Sequence, residues 1–256
     1  MTTTKSPDKT MLIDVRNLSL QVPVITQADR SLRANPVRLI TDLYLSRSTR
    51  GFATLLDGIS FKMEAGQRLG VIGANGAGKS TLLRVLAGIY QPSSGQLKVH
   101  GEAKGLFDIS LGMQPEATGL ENIYMRGLQM GLGLKRIRDL VPEVLEFSEL
   151  AEHIDKRLST YSTGMGLRLA VAISTMIEPD ILLLDEWIGA GDARFNEKVK
   201  ARMMGLVEGS RGLVIATHND ALMRSLCTHG LVLDKGRMRF VGPLDEALNV
   251  YGQMRG

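Results

Sequence analysis

A single cysteine, Cys227, leaves no internal disulfide to form, which suits a reducing compartment. It follows the apolar stretch Leu222-Met223-Arg224-Ser225-Leu226 and reads as a small packed side chain with no further role. Aromatic residues make up 5% of the chain, too few for the stacking platforms that hold single-stranded nucleic acid. Neither sign of charge dominates: a net charge of +4 and a pI near 9.2 are mildly basic, without the dense Lys/Arg footprint of a dedicated nucleic-acid binder. No apolar run approaches the roughly 18 residues of a bilayer span, so a membrane role must come through a partner. The amino terminus, Met1 to Lys9, carries charges with no apolar core after them; residues 1–10 read as a flexible tail and not as a secretory signal. Internal repeats and low-complexity blocks are also missing.

Against this plain background stands one phosphate-binding loop. Gly73-Ala74-Asn75-Gly76-Ala77-Gly78-Lys79-Ser80 fits G-x-x-x-x-G-K-[ST]. A short apolar strand, Arg68 to Ile72, runs into it, and a helix start, Thr81 to Ala87, leaves it. Glycines let backbone N–H groups converge on phosphate oxygens, and the helix N-terminus favours the negative charge. Lys79 reaches the β- and γ-phosphates in this motif, and the Ser80 hydroxyl is a ligand for Mg²⁺.

Strands are expected at Met11–Val22, Leu55–Met63, Arg68–Ile72, Gln96–Gly101, Ile181–Leu184 and Gly212–Thr217. A hairpin pairs Leu231–Leu233 with Met238–Val241 through Asp234-Lys235-Gly236-Arg237. Residues 119–178 read as mostly helical, with apolar residues at helical spacing from Leu120 to Leu134 and from Arg136 to Phe147, and helical content continuing through Leu150 and Ile154. A helix from Leu244 to Tyr251 closes the chain. The alternation predicts an α/β fold of one domain over 11–256, with a largely parallel sheet, helices on both faces and a helical insert at about 106–178. Residues 23–50 break the pattern with Pro23, Pro36 and five arginines. This basic excursion reads either as a solvated surface segment or as a contact with lipid head groups or a membrane partner.

A P-loop alone does not choose between kinase, GTPase and motor. Ile181-Leu182-Leu183-Leu184-Asp185-Glu186 narrows the choice: a buried strand delivers a carboxylate, Asp185, to hold Mg²⁺, and then Glu186, which can polarise a water for attack on the γ-phosphate. Tyr161-Ser162-Thr163-Gly164-Met165 lies upstream, with Ser162 standing 23 residues before Asp185, Asp192 follows in Gly189-Ala190-Gly191-Asp192, and His218 comes after the next strand. Taken singly, Ser162 and Asp192 also fit ordinary helix caps and His218 a core histidine. In this order they resemble the ATP-binding cassette (ABC) ATPases, whose signature is usually Leu-Ser-Gly-Gly-Gln. Ser162 and Gly164 match it, while Thr163 and Met165 depart. His218 stands at the switch-histidine position and Asp192 at the D-loop. The resemblance covers about residues 52–251.

Within that family, Tyr-Ser-x-Gly-Met looks like the branch that exports bacterial O-antigen, capsule and teichoic acid. So do Thr118-Gly119-Leu120-Glu121-Asn122-Ile123, the run Trp187 to Phe195, and the basic excursion. The resemblance implies a P-loop NTPase fold with an antiparallel β subdomain, ATP and Mg²⁺ as cofactors, a homodimer with the signature of one subunit on the ATP of the other, and a membrane permease partner. It implies a place at the cytoplasmic face of the inner membrane and no direct binding of nucleic acid. The Q-loop position falls on Asp108 in place of the usual Gln, and Phe52 is the candidate to stack on adenine or else a core residue. The chain ends soon after Tyr251, so a carbohydrate-binding domain after the ATPase is not expected. Rival readings are a soluble ABC ATPase acting on nucleic acid or ribosomes, and a transporter subunit for lipid, peptide or metal ion. A P-loop kinase leaves Ser162–Met165 and His218 without purpose.

Overall fold

The computed structural model describes residues 11–24, 51–107, 109, 111–187 and 192–254. The tail 1–10, most of the basic excursion, and Asp108 lie outside the described residues.

Strand β6, Ile181–Asp185, shows how the chain is layered. Side chains alternate across a strand, so a strand buried on both faces must be apolar throughout. Ile181 and Leu183 point into one core and Leu182 and Leu184 into another. The strand pairs in parallel with β5, Ala103–Leu106, and β7, Gly212–Ala216. With β3 (Arg68–Ile72), β8 (His229–Asp234) and β9 (Arg237–Pro243) they form a six-stranded sheet in the order β5-β6-β7-β3-β8-β9, parallel except for the β8–β9 hairpin. Lys235 and Gly236 turn that hairpin with φ of 47° and 78°, the two left-handed residues of a type I′ turn.

A second, three-stranded antiparallel sheet has the order β2-β1-β4, from β1 (Met11–Val24), β2 (Gly51–Glu64) and β4 (Ser94–Val99). Its Leu12, Ile13, Leu56 and Phe61 share one core with Leu183, Val214 and Leu231 of the large sheet and with Leu82 and Leu83 of helix α1, Lys79–Leu86. The opposite face of the large sheet is covered by α5 (Ala193–Gly209), α6 (Asp220–Leu226) and α7 (Leu244–Gln253). Phe195, Val199, Met203 and Val207 supply the α5 stripe at helical spacing.

Between β5 and β6 the chain makes a helical insert of α2 (Gly119–Gln129), α3 (Leu134–Ser148) and α4 (Thr163–Ser174) around its own core of Ile123, Ile137, Val144, Leu169 and Ile173. The helical spacing read from Leu120 to Leu134 is broken in the structure. Helix α2 stops at Gln129, because Gly131 takes φ 82° and Gly133 then caps α3. Leu150 and Ile154 flank a single 3₁₀ turn at Ala151–His153.

Leu183 is fully buried between the two sheets and stands two residues before Asp185. Leu183→Ala is expected to lower stability by about 2–5 kcal/mol, read as the shift of the urea unfolding midpoint.

Candidate active site

In open parallel sheets, ligands bind at the carboxyl ends of the strands, and here strand register sets three of them side by side. Val71 of β3 pairs with Ala216 of β7, and Ala216 pairs with Asp185 of β6. The residues that follow, Gly73, Thr217 and Glu186, therefore emerge along one edge.

Gly73 is closely packed: a Cβ there would lie 2.5 Å from the Leu233 carbonyl oxygen and 3.0 Å from Ala77 Cβ. Gly76 and Gly78 hold φ of 77° and 105°, where a side chain is strained. Gly78 caps α1 with no side-chain acceptor, so the first amides of the helix remain for an anion. Lys79 Nζ donates to the carbonyls of Gly73 (2.8 Å) and Ala74 (3.0 Å), folding the ammonium back over its own loop. Burial lowers the Lys79 pKa, opposed by the negative charges of Asp185 and Glu186.

Ser80 Oγ donates to Asp185 Oδ1 at 2.9 Å, tying the start of α1 to the end of β6. These are hard oxygen donors, the chemistry that suits Mg²⁺. Glu186 leaves the strand with φ 80°, a conformation uncommon outside glycine. Its N–H donates to the Ala216 carbonyl at 2.8 Å, and Thr217 Oγ1 donates to Glu186 Oε1 at 2.8 Å. One carboxylate oxygen is thus fixed by a buried threonine while the side chain faces solvent.

These groups line a cleft of about 750 Å³, with Asn75, Gly76, Gly78, Lys79, Ser80 and Thr81 on one wall and Asp185, Glu186 and His218 on another. Ala77 is buried beneath the loop, and its carbonyl accepts from Gly236 N at 2.9 Å. The hairpin tip, Lys235 and Gly236, completes the cleft with Thr54 and Leu55 of β2. Phe52 is 61% exposed on the same strand and is not packed in the core; Thr54, two residues on, is the nearer lining residue.

Ser162, Thr163, Gly164 and Met165 stand elsewhere, at the exposed N-terminus of α4 on the insert. Ser162 is the cap, its Oγ accepting from Met165 N at 3.2 Å. Asp192 caps α5 through Phe195 N (2.9 Å) and pairs with Arg168 of α4 (2.6 Å). Both contacts hold its carboxyl below the usual range. Arg168 also meets Glu149 at 3.0 Å, and Lys198 meets Glu149 at 2.8 Å. Helices α3, α4 and α5 are joined by this chain of charges.

The ABC transporter family profile matches residues 56–189, more than half of the chain. The chain belongs to the ABC transporter family. Its ATP-binding cassette is 40% identical to the O-antigen export system ATP-binding protein RfbE of Yersinia enterocolitica, over 86% of this chain and 95% of that protein. It is 39% identical to the O-antigen export protein RfbB of Myxococcus xanthus and 34% identical to the teichoic acids export protein TagH of Bacillus anthracis, over 77% and 85% of this chain. The alignments span 45% and 40% of those two longer proteins. An ATP-binding subunit of an ABC transporter superposes with TM-score 0.66 at 20% identity, covering 94% of this chain and 93% of that one. A dimeric cassette in a post-hydrolysis state with ADP and Pi gives 0.65 at 18%, covering 91% and 99%. The α/β P-loop fold is therefore that of the ABC ATPases.

The sequence named neither Thr217 nor the hairpin tip as part of the cassette's site. Thr217 carried one local signal, a hydroxyl directly before His218 at the end of an apolar strand. The place of Lys235 and Gly236 comes from the fold alone.

Lys79→Ala is expected to abolish nucleotide binding, read by fluorescence titration with a labelled ATP analogue. Thr217→Val frees Glu186 without touching the P-loop; kcat for ATP should fall about tenfold or more with KM nearly unchanged in steady-state assays. A matched rise in KM would mean that Thr217 supports binding instead.

Proposed function

We propose that this cassette is the ATPase subunit of an exporter of cell-surface polysaccharide or glycolipid, acting at the cytoplasmic face of the bacterial inner membrane on a partner permease. The observation that carries this reading is the 40% identity with an O-antigen export ATP-binding protein across nearly its whole length. Among the described residues no helix is long and apolar enough to cross a membrane, so the path for the polymer is assigned to the partner.

In the mechanism we assign, amides of Gly76, Ala77, Gly78, Lys79, Ser80 and Thr81 cradle the phosphates of ATP, with Gly73 and Asn75 shaping the loop. Lys79 exchanges its carbonyl partners for phosphate oxygens. Ser80 and Asp185 would hold Mg²⁺, which supplies charge neutralisation on the β- and γ-phosphates. Glu186, steered by Thr217, accepts a proton from the attacking water as the bond from γ-phosphorus to the bridging oxygen breaks. His218 lines the same cleft and is assigned to the γ-phosphate. Asp108 is assigned to the water-ordering position of the Q-loop, and Phe52 to the adenine.

Ser162 to Met165 do not line the cleft of their own chain, so in this reading they act on the ATP of a second copy. A two-fold dimer places Ser162, Thr163, Gly164 and Met165 of the partner subunit against the γ-phosphate, making two equivalent sites. Helix N-termini suit this task. For the permease we assign the apolar groove of about 200 Å³ between insert and core, lined by Ala87, Ile89, Phe107, Ile109, Met130 and Ile177.

Light scattering of Glu186→Gln tests the dimer: it should double in mass with Mg-ATP and return to monomer without it, whereas Lys79→Ala stays monomeric throughout. A Glu186→Gln protein that binds ATP yet stays monomeric contradicts the shared-site mechanism. Membrane fractionation tests the export role, since the cassette should sediment with membranes only when its permease is co-expressed.

A further inference from the structure

The Thr118–Ile123 motif contains a buried polar group that the ATP site does not use. Asn122 is 0% exposed, and burying an amide is unfavourable unless its donors and acceptor are paired. The side chain is spent on the loop before its own helix. Oδ1 accepts from Gln114 N at 2.7 Å, and Nδ2 donates to the carbonyls of Gln114 (3.0 Å), Thr118 (2.9 Å) and Ala117 (3.4 Å). Thr118 and Glu121 meanwhile cap the helix reciprocally, at 3.1 and 2.7 Å. The loop 114–118 is therefore held from behind by one side chain.

Its front edge carries a second segment. Ser159 N donates to Pro115 O (2.8 Å), Leu158 N to Ala117 O (2.9 Å), Gly119 N to Lys156 O (3.2 Å) and Leu120 N to Ile154 O (3.0 Å). Thr118 and Arg157 form an antiparallel bridge. That second segment runs on through Thr160 and Tyr161 into Ser162, the cap of α4. Tyr161 anchors its end by donating from its hydroxyl to His153 O at 2.8 Å. The same loop begins just after Phe107 and Ile109, which line the apolar groove, and Ser174 at the far end of α4 donates to Ile109 O at 3.4 Å.

We infer that Asn122 is a positioning residue for Ser162: it makes the loop 114–118 and the strip 154–161 one rigid unit that presents the start of α4 to the ATP held by a second copy. The inference rests on the shared-site dimer proposed above. Asn122 touches neither nucleotide nor Ser162 and acts only through this strip.

Asn122→Asp keeps an acceptor for Gln114 N but sets an acceptor against three carbonyl oxygens. It is made in full-length Glu186→Gln protein, with Asn122→Ser, which retains one hydroxyl donor, in its place if the aspartate variant does not fold. Binding of labelled ATP should stay within about twofold of the parent, amide hydrogen exchange over 154–163 should rise about tenfold with 68–86 unchanged, and ATP-driven dimerisation should weaken about tenfold. Unchanged exchange and dimerisation overturn the inference. Loss of ATP binding overturns it too, because Asn122 would then support the whole cassette and not the strip. If the Glu186→Gln parent itself fails to dimerise, the dimer reading fails; exchange over 154–163 still decides whether Asn122 clamps the strip.

Discussion

Parallel register is the constraint on which the rest of the site depends. Leu69, Gly70 and Val71 of β3 align with Val214, Ile215 and Ala216 of β7, and β7 aligns with β6 so that Ala216 meets Asp185. A slip by one residue would turn each strand's side chains to the opposite face. It would also move the P-loop, Glu186 and Thr217 out of reach of one another. The register is held by burial on both faces: Leu183 and Val214 pack toward the antiparallel sheet, Leu182, Leu184, Leu213 and Ile215 toward α5 and α6. The hydrogen bond from Ser80 to Asp185 then fastens α1 across the edge.

The charged groups at this edge are satisfied internally. Lys79 is bonded to two loop carbonyls, Glu186 receives a buried hydroxyl, and Asp192 has both oxygens engaged by Phe195 N and Arg168. Such pairing avoids the cost of partly buried, unpaired polar groups. It also means that phosphate must compete with contacts already made, so binding is an exchange of partners. The lowered pKa of Lys79 expresses the same balance, since desolvation disfavours its charge more than Asp185 and Glu186 restore it.

What the sequence revealed was local in the chain. The P-loop, the apolar run ending in Asp185 and Glu186, and the hairpin around Gly236 are contiguous signals whose spacing is their meaning. The alternation of periods pointed to a largely parallel sheet, but its edge strand β5, Ala103–Leu106, was not among the expected strands. Thr217, Lys235 and Asn122 were not singled out, because their roles depend on residues distant in the chain or on backbone atoms that carry no residue identity. Thr217 meets Glu186 across paired strands, Gly236 meets Ala77 through the fold, and Asn122 bonds to main-chain groups of its own loop. The break between α2 and α3 was masked by apolar spacing that ran on through Gly131 and Gly133.

The insert carries Ser162 to Met165 away from the cleft that the P-loop lines. Its core of Ile123, Ile137, Val144 and Leu169 is largely its own, but Val171 of α4 belongs to the core under α5, and Met130 and Phe147 pack against both. Polar and apolar contacts both cross to the sheet side: Arg168 pairs with Asp192 and Lys198 with Glu149, while Phe147 stands edge-on to Phe195 at 5.4 Å and Val171 lies in the core beneath α5. The apolar groove sits at the same junction of insert and sheet. In the proposed dimer, the donors at the start of α4 reach the γ-phosphate held by the second copy.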